Sequence, residues 1–340
     1  MRKVLRTIRY GSQASLARGV FAVTVAGFLA AALPAAAIDL QGHRGARGLA
    51  PENTLASFRR AIEIGVTTLE TDLALTSDDV LVLSHDPKLN PALTRTADGR
   101  WLPGDGPPIR SIASSELRAY DVGRIDPSQE YAKTWTRQAA ADGERMPTLA
   151  QLFALARDAL SPGGRPVRFS IETKLTPSDA VPTASAEEFA RAIVREVTAA
   201  GLTERVTVQS FDWRSLRALK RSAPSIRTVC LTIEAEGMNT VRADASGTSP
   251  WHDGLRRADF GGSLPRAVQA AGCATWSPFW RNLTPQLVTE AHGLGLAVVP
   301  WTVNEPADIE RMLDLGVNGL ITDYPDRARG ILAKRGVPVD

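Results

Sequence analysis

Ionisable residues of complementary kinds fall in short clusters along this chain. They are His43-Arg44-Gly45 with Pro51-Glu52-Asn53-Thr54, then Glu70-Thr71-Asp72, Ser84-His85-Asp86, and Glu172-Thr173-Lys174. Residues two apart on an extended strand share a face, so Glu70 and Asp72 aim together, as do Glu172 and Lys174. Three carboxylates brought to one place repel unless protons or a cation intervene. A hard divalent ion that prefers oxygen, Ca²⁺ or Mg²⁺, is the natural partner of Glu70, Asp72 and Glu172. A zinc site would call for more imidazole than His43 and His85 supply. Acid pairs beside a histidine and an arginine are the equipment of metal-assisted phosphoester chemistry.

Strand-like and helix-like patterns alternate from residue 38 to the C-terminus and would carry these clusters. Strands are expected at 38–43, 67–75, 167–174, 206–210, 226–232, 274–277, 296–303 and 319–321, with a second extended piece at 80–84 after the turn Ser77-Asp78-Asp79. Helices are expected at 54–64, 149–160, 186–199, 213–220, 284–293 and 306–315. Eight principal strands, each but the last followed by a helix or a long connector, predict an α/β fold, a TIM (β/α)8 barrel. No Gly-x-Gly-x-x-Gly follows the first strand, which argues against a dinucleotide fold. Two stretches break the rhythm. Residues 86–147 are rich in Pro, Gly and Asp and form an insertion after the second strand, expected as a lid over the barrel mouth. Residues 234–262 are similar. Barrel active sites lie at the C-terminal ends of the strands, which is where the clusters fall.

The first 37 residues read as a signal peptide. Arg2, Lys3, Arg6, Arg9 and Arg18 make a basic start, an apolar run of small residues follows, and Ala35-Ala36-Ala37 supplies a cleavage signal. An exported chain, periplasmic or secreted, with no stable membrane insertion of the mature part (38–340) is the expectation. The leader holds those five basic residues and no acid, so its removal takes the net charge from +3 to −2. The basic balance therefore argues for no nucleic-acid partner. Cys230 and Cys273 are the two cysteines. Bonded and merely buried are equally good readings, and their spacing fits neither a metal-thiolate nor a redox motif.

Together, the clusters above resemble the glycerophosphodiester phosphodiesterase family. Pro147-Thr148-Leu149, Ile171 before Glu172, Gln209-Ser210-Phe211, Trp301-Thr302-Val303-Asn304 and Thr322-Asp323-Tyr324-Pro325 continue the pattern. The likeness spans about residues 38–333, and several ordered motifs make it specific. It implies a metal-dependent TIM barrel that splits a small-molecule glycerophosphodiester into an alcohol and sn-glycerol 3-phosphate. By position, His43 and His85 match the family's acid/base pair, Arg44 its phosphate-binding arginine, and Glu70, Asp72 and Glu172 its ligands for one divalent cation. Lys174 matches a basic residue beside the phosphate, and Glu52 a carboxylate near the centre. Trp301, near a strand end, would wall the substrate pocket.

Blander readings compete at several positions. Glu52 could simply favour a helix start, and Glu172 with Lys174 could be a plain ion pair. His252, in the second insertion, and His292, on a helix, have no such company and read as surface or structural. Trp276 and Trp280 cluster with Trp301 around the sixth and seventh strands, where aromatics are usually core. Two other functions fit the same residues. Phospholipase D-like hydrolysis of lysophospholipids would call for an exposed apolar rim, which 86–147 does not obviously supply. A non-catalytic periplasmic phosphodiester-binding protein would not need both histidines.

Overall fold

The computed structural model describes residues 37–178 and 180–340, so residues 1–36 of the expected leader lie outside the described residues. Strand β1 is Asp39–Gly42, β2 Thr68–Leu75, and β3 Leu81–Leu83. Then come β4 Arg168–Thr173, β5 Val206–Ser210, β6 Arg227–Thr232, a small hairpin of β7 Glu234–Ala235 and β8 Met238–Asn239, β9 Thr275–Pro278, β10 Ala297–Val298 and β11 Gly319–Thr322. Eight of these lie side by side in the order β10-β9-β6-β5-β4-β2-β1-β11, every neighbouring pair parallel, while β3 pairs antiparallel with β2. Between β10 and β11 the ring is drawn together by single bonds: Asn318 N–H to Val298 O (2.8 Å), Ile321 N–H to Pro300 O (3.0 Å) and Val303 N–H to Ile321 O (2.9 Å). The expected barrel is therefore present and nearly closed.

One expected strand is much shorter than its apolar run suggests. Residues 296–303 give only Ala297–Val298 as strand, because Pro300 has no N–H to donate to a ladder.

Ten helices are described: α1 Leu55–Ile64, α2 Ser114–Leu117, α3 Glu130–Thr134, α4 Leu149–Leu155, α5 Ala186–Ala200, α6 Trp213–Ser222, α7 Leu264–Ala270, α8 Pro285–Gly293, α9 Pro306–Asp314 and α10 Pro325–Lys334. Local chemistry sets their ends. Thr54 accepts from Ser57 N at the start of α1, Ser185 and Glu188 form a capping box on α5, and Asp212 caps α6. Gly65, at φ 89°, closes α1 in the left-handed region. Phe189, Ile193 and Val197 recur at helical spacing on α5 and are buried against the sheet.

The strands bury apolar side chains outward, beneath the helices. Leu40, Leu69, Leu73, Phe169, Ile171, Val206 and Val208 all belong to this core. Cys230 of β6 and Cys273 just ahead of β9 are joined in a disulfide within it, their Cα atoms 5.9 Å apart. Trp276 is buried here too, its indole N–H donating to Thr232 Oγ1 at 2.9 Å.

The lower lumen of the barrel is of another character. A cavity of about 190 Å³ there is lined by Gln41, Thr68, Ser170, Thr207, Gln209 and Ser277, among others. Val229, Val299 and Ile321 share the lining with these polar groups and with Asp39 and Arg168, where branched aliphatic side chains usually fill the space.

The 86–147 insertion carries little regular structure, as expected, but it has a core of its own. Leu89, Ile109, Ile112 and Leu117 pack together with Ala74 and Val82 of the barrel. The helix expected at 149–160 ends at Leu155. His252 is a buried structural residue, stacked on Trp213 with ring centroids 4.0 Å apart, whereas His292 lies on α8 within reach of Asn318.

Candidate active site

The C-terminal ends of β1, β2, β4 and β5 deliver polar side chains to one place, as alternation along each strand requires. A cavity of about 160 Å³ at the barrel mouth is lined by His43, Arg44, Glu70, His85, Glu172 and Lys174, with Arg47, Gln209, Phe211 and Trp301 completing much of its wall. Asp72 stands beside Glu172 in the β2–β4 register. Glu52 faces an adjoining cavity under the insertion, which shares His85 with the first. The structure thus gathers every expected site residue, Glu52 indirectly through Arg44. Trp276 and Trp280 are not in this wall.

Glu70, Asp72 and Glu172 each offer an oxygen, and those oxygens lie within 4.8 Å of one another in a buried setting. Each carboxylate is held by donors that leave part of it free. Glu70 accepts from the Arg44 backbone N–H (2.8 Å) and from Gln209 Nε2 (2.8 Å), Asp72 Oδ2 from Asn53 Nδ2 (3.0 Å), and Glu172 Oε1 from Lys174 Nζ (2.8 Å). Asp72 Oδ1 is buried and accepts no hydrogen bond among the described residues; Lys174 Nζ stands 3.6 Å away. A buried acceptor left open beside two further carboxylate oxygens fits a hard cation.

The electrostatics agree. Burial, with Asp72 and its own neighbours close by, drives the Glu70 carboxyl well above the usual range and takes Glu172 up to about 7. Burial alone would raise Asp72 as well, but Arg44 and Lys174 hold it well below its ordinary value. The cluster binds protons when no cation neutralises it.

The basic groups stand among these acids. Arg44 adopts a left-handed backbone (φ 52°), which turns the chain at the end of β1 and aims its N–H at Glu70. Its guanidinium lies between Glu52 (Nη1 to Oε1, 2.6 Å) and Asp72 (Nε to Oδ2, 3.0 Å). His43 Nδ1 is 2.7 Å from Asp323 Oδ1, an atom that can only accept, so the proton belongs on Nδ1 and Nε2 is left bare. That Nε2 points toward the acids, 3.9 Å from Glu70 Oε2. Burial and the Arg47 charge lower the imidazole to about 4, against the pull of Asp323. Half-buried His85 pairs Nδ1 with Asp86 Oδ1 at 2.9 Å; burial, Lys174 and Arg44 depress its pKa.

Several members of the site were not expected individually. Asp323 binds His43 and also Arg47 (2.7 and 3.1 Å) and Asn304 (2.6 Å). Asn53 bridges Thr71 and Asp72. Asp323, Asn304, Asn53 and Gln209 all occur in the motifs quoted above, without any role attached to them; Arg47, and Tyr131, whose hydroxyl donates to Glu52 Oε2, carried no motif signal.

Comparison with known proteins agrees with this geometry. A family model, the glycerophosphoryl diester phosphodiesterase family, matches residues 43–327. A glycerophosphodiester phosphodiesterase of Caldanaerobacter subterraneus subsp. tengcongensis is 30% identical over 294 residues, which is 86% of this chain and 97% of that protein. A crystal structure from Silicibacter pomeroyi DSS-3, assigned to the glycerophosphoryl diester phosphodiesterases, is 36% identical, with a TM-score of 0.77 over 90% of this chain and 96% of that one. An Oleispira antarctica phosphodiesterase, solved with the product sn-glycerol-3-phosphate, shares the fold at 21% identity and a TM-score of 0.61, over 87% of this chain and 96% of that one. The chain belongs to the glycerophosphoryl diester phosphodiesterase family and is an enzyme, a phosphoric diester hydrolase.

Proposed function

We propose that this enzyme hydrolyses glycerophosphodiesters to an alcohol and sn-glycerol 3-phosphate, with one Ca²⁺ or Mg²⁺ held by Glu70, Asp72 and Glu172. One observation carries the reading: three buried carboxylates lie within 4.8 Å of one another, and two of them, Glu70 and Glu172, line a cavity with two histidines, an arginine and a lysine. When bound, the cation supplies positive charge to the phosphate oxygens as they gain negative charge. Arg44 and Lys174 contribute to the same stabilisation from the chain itself. His43, neutral and with Nε2 bare, takes the proton of the nucleophile, which is water or the neighbouring glycerol hydroxyl. Asp323 holds the Nδ1 proton and steadies the imidazolium that results. His85 gives a proton to the departing alkoxide; Asp86 favours its charged form against burial, Lys174 and Arg44, which hold its pKa down. Trp301 and Phe211 close the opposite wall and shed water from it.

We read residues 1–37 as a cleaved leader and the working enzyme as periplasmic or secreted. The central experiment is release of sn-glycerol 3-phosphate from a panel of diesters, with and without chelator, by wild type, His43→Ala and His85→Ala. Product formation that survives chelation, or full turnover in both variants, refutes the proposal.

A second reading has one observation in its favour. Phe211, Leu231 and Ile233 pack with Trp251, Phe279 and Trp301 in an apolar cluster beside the cavity. An apolar shelf suits the acyl chain of a lysophospholipid, the substrate of a phospholipase D-like relative. Faster hydrolysis of lysophosphatidylcholine than of glycerophosphocholine would favour it.

A further inference from the structure

Beyond Asp86, which pairs with His85 and is itself held by Asn90 at 2.6 Å, the 86–147 insertion reaches the catalytic machinery through residues 130–139. Tyr131 Oη donates to Glu52 Oε2, and Glu52 Oε1 in turn takes the Arg44 guanidinium at 2.6 Å. Arg44 is thereby braced between Glu52 and Asp72. Four residues on, the Trp135 indole lies over the Arg47 guanidinium, 4.3 Å from ring centroid to Cζ. Arg47 grips both oxygens of Asp323, and Asp323 holds His43 Nδ1 at 2.7 Å. Two relays, one ending on Arg44 and one on His43, start from the same turn and a half of chain. Tyr131 and Trp135 also meet edge to face at 5.8 Å, which couples the two starting points.

The stretch is fastened at its far end as well. Gln138 Nε2 donates to Arg47 O at 2.7 Å and the Ala139 N–H to Leu49 O at 3.0 Å. Arg137 pairs with Asp326 at 2.7 Å and stacks on Tyr324, the neighbour of Asp323. Trp135 is only 8% exposed. A lid that swings for each substrate would have to break a main-chain bond, two ion or amide contacts and a buried indole contact in every cycle. Tyr131 is a dependable donor, since burial and the Glu52 charge both resist its ionisation.

We infer that residues 130–139 are a fixed positioning arm, with Tyr131 setting the orientation of Arg44 through Glu52 and Trp135 setting His43 through Arg47 and Asp323. The arm is an alternative to the expected lid, and it rests on the proposed roles of Arg44 and His43. Tyr131 and Trp135 are positioning residues that act through others. Removing the Tyr131 hydroxyl leaves Glu52 one donor short and lets Arg44 swing toward it, which weakens phosphate binding. Removing the Trp135 ring frees Arg47 and loosens the carboxylate that orients the base, which slows proton transfer.

The test uses the full-length enzyme with its divalent ion and glycerophosphocholine, each variant checked by circular dichroism and thermal melting. Tyr131→Phe is expected to raise KM about ten- to a hundredfold, the range for a lost hydrogen bond to a charged group, with kcat within about threefold. Trp135→Ala is expected to lower kcat about tenfold with KM little changed, and Trp135→Phe to restore most of it, since a ring face still covers Arg47. Lys133→Ala, an exposed neighbour on α3, is expected to match wild type. Tyr131→Phe placed on Glu52→Gln should add nothing, because both act on one relay. Independent multiplication of those two effects overturns the inference, and so does wild-type KM and kcat in Tyr131→Phe and Trp135→Ala. Hydrogen exchange of residues 130–139 in the wild-type enzyme gives a reading independent of turnover. Equal protection with and without sn-glycerol 3-phosphate supports a fixed arm; strong protection gained only on product binding shows a lid. A wild-type enzyme inactive on every diester would refute the proposed function, while the exchange measurement would still decide the arm.

Discussion

Replacing Asp323 by Asn tests the chemistry at its most exposed link. The carboxylate is buried and sits 2.7 Å from His43 Nδ1. An amide of the same shape can present its NH₂ to Nδ1, which favours the tautomer with the proton on Nε2, the wrong atom for a base. The lost charge matters too. Two unit charges 2.7 Å apart attract by about 6 kcal/mol at an effective dielectric near 20. Arg47, on the same carboxylate, cancels part of that in the wild type. Between about 4 and 6 kcal/mol of imidazolium stabilisation should vanish, a fall in kcat of about 10³–10⁴-fold. The imidazole, already brought down to about 4 by burial and Arg47, would become a weaker base still. The assay is sn-glycerol 3-phosphate release at saturating glycerophosphocholine and divalent ion, with circular dichroism confirming the fold. Asp323→Asn turning over within tenfold of wild type would refute the assignment of His43 as the base.

Other expectations follow from the acid cluster and the core. With chelator present, thermal stability should fall as pH rises from about 6.5 to 8, above the ordinary histidine value, where the depressed His43, His85 and His252 no longer add an opposing slope. The raised Glu70 and Glu172 carboxyls keep protons in the fold that the unfolded chain has lost by about pH 5, so the Glu172 contribution is lost as pH passes about 7 and the Glu70 contribution as pH rises through that group's own raised value. Asp72 and Asp323, held low, are ionised throughout this window and contribute no slope. Added Ca²⁺ or Mg²⁺ should restore the melting temperature at pH 8, and a flat profile without it would contradict the cluster's charge balance. Glu172→Gln should weaken divalent-ion binding at least about tenfold by calorimetry, since it removes one of three carboxylate ligands. Cys230→Ser with Cys273→Ser opens a loop of 43 residues and should cost up to about 4 kcal/mol in urea titration by the chain-entropy estimate, with turnover of the surviving folded enzyme unchanged.

Much of this barrel can be read along the chain, because its strands alternate and its functional pairs sit two apart. Glu70 with Asp72, and Glu172 with Lys174, face one lumen for that reason. What cannot be read is pairing across the ring. His43 and Asp323 are 280 residues apart yet share a hydrogen bond, since β1 and β11 are neighbours only once the sheet curls round. An acid directly after the last apolar strand, Thr322-Asp323, was the available signal. Arg47 follows β1 in an irregular turn, and Tyr131 lies in a stretch with no period, so neither announces its partner. The shortening of β10 was legible in Pro300, whose missing donor outweighs the apolar run around it.

The small hydroxyl side chains of the lower lumen, unlike Gln209, which holds Glu70, have a consequence for how this molecule tolerates change. Its cohesion resides in the greasy jacket between strands and helices, while the axis beneath the reaction chamber is loosely furnished with Ser170, Thr207 and Ser277. Drift or deliberate redesign at those axial positions can therefore refurnish the scaffold's hollow without disturbing the machinery above it, whereas a single altered residue in the jacket is felt at once.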